Sequence, residues 1–316
     1  MGTRTEADGA RLARFLGGIR LPHVRRPVAR TALHERLIVA AATGPGAGPG
    51  RTTDWQIATV ESVHAESPRV KLFRLKLPAG QKFSAGQYYD IRLTAPDGYQ
   101  AQRSYSISSS PEKPGVIELV IELIPGGEVS SYFHEAVVPG ERIELRGPIG
   151  GHFTWTPNYI EPLLLVAGGS GIAPLMSIIR RRATLDSSPR MLLMFSVRTE
   201  HDILFRQELE RMAHEDADFD LTITLTRAVP EGWTGETRRI DAQMIDTAFD
   251  AATGKTRLRE AGTGTPEAAK AAPNPAGQPF GRAYICGGTG FVESIASYLL
   301  ETGMDYDDIR TERFGP

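Results

Sequence analysis

Apolar and polar side chains alternate with a period of two through residues 88–93 and 104–108. Stretches of the same kind fall at 55–63, 71–77, 117–123 and 142–146. A period of two sends successive side chains to opposite faces, so these stretches predict half-buried strands. Turn formers separate them at Pro68, Pro78-Ala79-Gly80, Pro96-Asp97-Gly98, Pro111 to Gly115 and Pro139-Gly140. Short strands punctuated in this way predict a closed antiparallel barrel.

After Pro148-Ile149-Gly150-Gly151 the pattern changes class. Residues 163–167 are continuously apolar, as expected of a parallel strand buried on both faces, and a helical segment at 175–182 follows. A strand at 191–197, a helix at 204–214, strands at 221–226 and 283–286 and a helix at 291–301 continue the alternation. That order predicts a doubly wound parallel sheet with its ligand cleft at the carboxyl ends of the strands. The stretch 250–281 interrupts it with Ala, Gly, Thr and Pro and almost no large apolar residue. Such a segment buries too little surface to offset its ordering entropy, which predicts a disordered surface insertion, with a lid as the alternative.

The chain of 316 residues is long enough for two domains with separate cores. Residues 1–53 form a basic extension with Arg11, Arg14, Arg20, Arg25, Arg26, Arg30 and Arg36, ending in a Gly/Pro/Ala run. It reads as a disordered tail or as a docking arm for an acidic or phosphate-rich surface. Residues 54–157 make the barrel domain and 158–316 the α/β domain, which holds the insertion. A net charge of -2 gives no support to a nucleic-acid surface. No apolar run approaches the roughly 20 residues of a membrane span, and a cytoplasmic location is expected. The histidines show no ligand spacing, so no metal site is expected. One cysteine leaves no room for a disulfide framework or a four-cysteine iron–sulfur cluster in this chain.

Candidate chemistry gathers in four places. Arg103-Ser104-Tyr105-Ser106 offers a planar fork of donors suited to phosphate, a hydroxyl, a flat ring and a second hydroxyl. Alone, those four residues are equally an ordinary barrel edge. Gly126-Gly127-Glu128-Val129-Ser130 leads from a strand into a short helix, with Ser130 expected near the N-cap, where free N–H groups and the helix dipole suit a pyrophosphate. The turn is also a common strand-to-helix connection. Gly168-Gly169-Ser170-Gly171-Ile172-Ala173-Pro174 is a second glycine turn of the kind that lets a dinucleotide approach the backbone. Cys286 ends a central strand before Gly287-Gly288-Thr289-Gly290, as a buried apolar residue or as part of the cleft.

Taken together, residues 55–316 resemble the ferredoxin–NADP reductase superfamily, in particular the stand-alone reductases of bacterial oxygenase systems and the reductase domain of flavohaemoglobins. The resemblance implies a flavin-binding antiparallel barrel followed by an NAD(P)-binding domain. It implies FAD rather than FMN, with Arg103 on flavin phosphate, Tyr105 on the ring and Ser106 at N5, and with Gly127, Val129 and Ser130 holding the pyrophosphate. Ser104, Val120 and Glu122 join the cofactor contacts. Gly169, Ser170, Gly171, Ile172 and Pro174 would hold the nicotinamide nucleotide, with Cys286 and Gly287 beside its reactive ring. Relatives continue Cys-Gly with Pro, and Gly288 here predicts a looser turn. At the C-terminus Glu312 matches the acid near N5 and Phe314 the aromatic that shields the flavin. Ser106, Cys286 and Glu312 are thus the catalytic candidates.

Arg198, Arg227 and Arg238 sit where NADPH-using relatives hold the 2′-phosphate, which favours NADPH slightly. Thr226-Arg227-Ala228 lacks the usual acidic third member, and Glu200 and Asp202 could instead serve NADH. The implied activity is hydride exchange between NAD(P)H and FAD and single-electron exchange with a separate protein, a ferredoxin or an oxygenase component. The alternative is a non-catalytic flavin- or nucleotide-binding subunit that channels electrons or senses within a larger complex.

Overall fold

The computed structural model describes residues 54–78, 81–185, 188–253 and 280–315. The expectations for residues 1–53, and for the insertion from 254 to 279, lie outside the described residues.

Six strands, β1 (Gln56–Ser67), β2 (Val70–Lys76), β3 (Tyr88–Thr94), β4 (Gln100–Ser106), β5 (Val116–Glu122) and β6 (Arg142–Ile149), pair antiparallel in the order β4-β3-β6-β1-β2-β5. The first and last of that series meet at an isolated Ile107↔Leu119 bridge, so the sheet closes on itself. Phe73, Leu75, Tyr89, Ile91, Ile107, Leu119 and Leu145 fill the interior. Helix α1 (Glu128–Glu135) adds Val129, Tyr132 and Phe133 to that core. β4 starts at Gln100, before the stretch that alternation picks out. Gln102, Arg103 and Ser104 are all exposed, so its first half carries no burial pattern for a sequence to show.

The second sheet is parallel throughout, in the order β11-β10-β7-β8-β9. Its strands are β7 (Leu163–Gly168), β8 (Met191–Val197), β9 (Phe219–Leu225), β10 (Arg282–Gly288) and β11 (Ile309–Phe314). Leu163, Leu165 and Ala167 of β7 face a core built with α2 (Ile172–Arg182) and α3 (Arg206–Glu215). Leu164 and Val166 face the opposite core, with α4 (Ala242–Thr253) and α5 (Thr289–Glu301). This two-sided burial is why the strand is apolar without interruption, and it makes the sheet doubly wound as expected.

Four details differ from the sequence pattern. Residues 250–253 belong to α4, so the insertion starts later than 250; at its far end Phe280 is buried and the Gly281 N–H donates to the Pro162 carbonyl at 2.9 Å. α3 starts at Arg206 rather than 204 because Phe205 is left-handed, with φ 56°, and its N–H donates to Glu66 Oε1 of β1 at 2.6 Å. Gly288 has φ −64° and ψ 151°, angles a proline also adopts, so the turn keeps the backbone path that Cys-Gly-Pro would take. The C-terminal run forms strand β11, whose polar sequence gives no strand signal and whose place is fixed by the β10 edge. Among the described residues no helix is long and apolar enough to cross a membrane.

Candidate active site

β4 carries the barrel side of the site. The Arg103 guanidinium is exposed, donates only to its neighbour's carbonyl, Gln102, at 2.6 Å, and pairs with no carboxylate among the described residues. Ser104 Oγ donates to Asp90 Oδ1 at 2.6 Å, and Asp90 Oδ2 receives Arg146 at 2.6 Å, which ties this segment to β3 and β6. The Tyr105 ring is half-buried, tilted against Phe133 at 6.3 Å between centroids, and burial pushes its phenol upward. Ser106 ends the strand, buried and paired across the ladder with Tyr88.

The turn into α1 has its N-cap at Gly127, and Ser130 is the third helical residue rather than a cap. Its hydroxyl accepts from the Ile124 N–H at 3.2 Å and donates to the Gly127 carbonyl at 3.3 Å, bracing the turn from inside. A Cβ on Gly127 would stand 2.7 Å from Ser130 Oγ, which accounts for glycine there. Gly126 takes φ 75° with no atom within 4 Å of an added Cβ, so the outer side of the turn is open. The first N–H groups of α1 have no helical acceptor and face that turn. Val120 and Val129 are packed into the cores, and Glu122 is taken up by Ser170 at 2.8 Å and Arg69 at 3.3 Å. All three thus stand where the barrel meets the glycine turns, on the strand and helix that flank the site.

On the α/β side the backbone is drawn tight. A Cβ on Gly171 would lie 2.2 Å from the Cys286 carbonyl oxygen, and one on Gly287 2.8 Å from the Phe291 ring. Gly169, with φ 56°, and Gly288 and Gly290 have no atom within 4 Å of an added Cβ, so these turns at the strand ends are open to a ligand. Ile172 and Pro174 are buried in the first turn of α2, where proline's missing N–H leaves no gap. Cys286 is fully buried, and burial with the nearby Glu312 pushes its thiol well up, so it is a neutral thiol at physiological pH.

β11 brings the two halves together. Glu312 pairs in register with Cys286, and its Oε2 receives Ser106 Oγ at 3.3 Å. Burial pushes the Glu312 carboxyl up to about 7, against the Ser106 hydrogen bond, which lowers it. Phe314, two residues on and so on the same face, packs against the core shared by the two domains. Tyr88, just upstream of these residues in the barrel, joins them: burial and the charges of Asp90 and Glu312 raise its phenol. Only the β3–β4 register, which sets Tyr88 opposite Ser106, places it here.

The arginines divide. Arg198 and Arg227 are exposed at the ends of β8 and β9, joined by the Arg227 N–H to the Arg198 carbonyl at 2.9 Å, and neither pairs with a carboxylate among the described residues. Arg238, by contrast, is paired with Asp241. Glu200 is paired with Arg206, and Asp202 accepts from the Thr199 hydroxyl at 2.9 Å and its N–H at 3.0 Å.

Residues 57–155 match the oxidoreductase FAD-binding domain and residues 165–297 the oxidoreductase NAD-binding domain. An NADH-cytochrome b5 reductase 1 of Mortierella alpina is 31% identical over 71% of this chain and 74% of its own length. The chain belongs to the ferredoxin–NADP reductase superfamily. The glycine betaine monooxygenase reductase subunit of Pseudomonas aeruginosa is 28% identical over 74% of this chain and 57% of its own length. The chain spans 57% to 65% of the first curated relatives it matches. Among solved structures, a ferredoxin NADP+ reductase from Neisseria gonorrhoeae with bound FAD and NADP shares the fold at TM-score 0.63 and 21% identity, over 82% of this chain and 98% of that chain. The residues present fit both groups: an unpaired guanidinium and an open glycine turn at the barrel, and open glycine turns at the ends of β7 and β10. Among the described residues no cluster of His, Cys, Asp or Glu could hold a metal ion.

Proposed function

We propose that this chain moves electrons between NAD(P)H and a separate one-electron protein acceptor, a ferredoxin or an oxygenase component, by way of FAD. The observation that carries this is the 3.3 Å contact from Ser106 to Glu312, which brings the end of the barrel strand against the strand beside Cys286. Bound there, FAD supplies the exchange of a hydride for single electrons. Arg103 and the N–H groups at the start of α1 hold its phosphates, and Tyr105 and Phe314 confine its ring. Cys286 and Gly287 seat the nicotinamide. Ser106 and Glu312 would hold a proton between them beside the flavin, and the neutral Cys286 thiol would place no negative charge next to the nicotinamide.

The nucleotide preference is for NADPH. Arg198 and Arg227 have no carboxylate partner among the described residues, whereas Glu200 and Asp202, which could have accepted from an NADH ribose, are held by Arg206 and Thr199. Relatives named as reductase components of monooxygenases support a protein acceptor. The test is anaerobic: the FAD-loaded protein is mixed with NADPH or NADH, then with an oxidised ferredoxin. Bleaching of the flavin, faster with NADPH, and its recovery on adding ferredoxin are expected. A flavin that binds but stays oxidised with both nucleotides overturns the enzymatic reading and leaves the electron-channelling or sensing subunit.

A further inference from the structure

Helix α2 touches both halves of the reactive site, one at each end. At its start, Gly171 lies so close to the Cys286 carbonyl that a methyl group would not fit. At its last turn, Arg180 reaches into the barrel, where its Nη1 donates to the Ser108 carbonyl at 3.0 Å and to Glu118 Oε1 at 2.7 Å. Its other edge grips Glu208 of α3 through Nε at 2.8 Å and Nη2 at 2.6 Å, and its Cζ lies over the Phe205 ring, 4.9 Å from the ring centre. Ser177, one turn earlier, donates to the Ser109 carbonyl at 2.7 Å. Ser108 and Ser109 follow Ser106 after one intervening residue, Ile107. Ser108 is fully buried and locked to Glu118 by its N–H at 2.8 Å and its hydroxyl, which reaches Glu118 Oε1 at 2.8 Å. The segment that carries Ser106 is thus fastened to the helix whose other end abuts Cys286.

We propose that Arg180 is a positioning residue that sets the separation between the two ring-binding ends of the site, holding Ser106 to α2 and, through α2, to Cys286. The planar guanidinium suits this role, because five donors in one rigid fork can hold two domains at once and a lysine would keep a single point contact. A surface ion pair adds little, but Arg180 is largely enclosed between the barrel and α3, with a side-chain exposure of 19%. A displacement of about 1 Å between reacting groups slows a reaction roughly a hundredfold. The inference rests on the placement of the rings at Ser106 and Cys286 given above.

The experiment compares wild type with Arg180→Met, Arg180→Lys and the surface control Arg211→Met, each loaded with FAD. Stopped-flow flavin reduction at saturating NADPH, the long-wavelength absorption of the stacked rings, and hydrogen exchange of the Ile107 and Ser108 amides with and without FAD are measured. Arg180→Met is expected to slow reduction roughly a hundredfold while nucleotide affinity changes less than about twofold, to weaken the long-wavelength band and to speed exchange at both amides. Arg180→Lys falls between, and Arg211→Met matches wild type. Reduction by Arg180→Met within about twofold of wild type, or slowed reduction with an unchanged band and unchanged exchange, overturns the proposal. If Arg180→Met does not fold, Glu118→Gln, which keeps the shape and removes one charge facing Arg180, is expected to show the same changes in weaker form; wild-type behaviour there overturns it. Ser106→Ala and Cys286→Ala separate the two ideas. If neither slows reduction, the ring placement fails and the clamp with it, whereas slowing in these two beside a normal Arg180→Met retires the clamp alone.

Discussion

Replacing Glu312 with glutamine should make the protein more stable at alkaline pH and leave it nearly unchanged in acid. Unfolded, the carboxyl ionises near its ordinary value of 4.5; folded, burial keeps it protonated up to about 7. Ionisation therefore favours the unfolded chain. The stability the neutral group allows is fully present below pH 4.5, is lost as pH rises from 4.5 to 7, and stays lost above that. At about 1.36 kcal/mol per pH unit, the difference between 4.5 and 7 corresponds to roughly 3 kcal/mol. Glutamine keeps the size and the acceptor for Ser106 Oγ while removing the charge. The assay is urea unfolding of wild type and Glu312→Gln, with FAD in fixed excess, from about pH 5 to about pH 8.5, taking the difference in unfolding free energy at each pH so that other titrating groups cancel. A difference that grows by roughly 2 to 3 kcal/mol across that range is expected. A flat difference would show that Glu312 ionises freely, and the enclosed Ser106–Glu312 contact could not then be right.

Three further outcomes are expected. Arg103→Ala removes the unpaired guanidinium, and loss of a charge-assisted hydrogen bond of about 1.5 to 3 kcal/mol should weaken FAD binding roughly tenfold to a hundredfold; full FAD occupancy after dilution and gel filtration would remove Arg103 from the site. Gly171→Ala places a methyl group 2.2 Å from the Cys286 carbonyl oxygen, where both neighbours are backbone, so denaturant unfolding should show a loss of about 1 to 3 kcal/mol, and wild-type stability would contradict the close approach of α2 and β10. Arg198→Ala combined with Arg227→Ala should lower kcat/KM for NADPH at least about tenfold relative to NADH, and an unchanged ratio would place the 2′-phosphate elsewhere.

Much of this molecule is written in local pattern. The uninterrupted run Leu163-Leu164-Leu165-Val166-Ala167 announced a strand buried on both sides, because its odd and even residues serve different cores. Alternation announced most of the barrel, because each strand there has one face inside and one in water. The glycine turns and the Arg-Ser-Tyr-Ser segment were legible as residue types whose chemistry suits phosphates and a flat ring. What depends on partners far along the chain was not legible. β11 is polar, and only the exposed edge of β10 makes Ile309–Phe314 a strand and sets Glu312 beside Cys286. The raised carboxyl follows from burial against another domain, which no neighbour in sequence reports. Ser130 looked like a cap but braces its turn from inside, because α1 starts at Glu128 and carries that hydroxyl back under Ile124. The arginines looked alike in sequence, and the fold separated them by leaving Arg198 and Arg227 without a carboxylate and pairing Arg238 with Asp241. Arg180 carries no signal in the sequence beyond its place in the helical segment 175–182, and only the docking of α2 between the barrel and α3 makes it the tie between them.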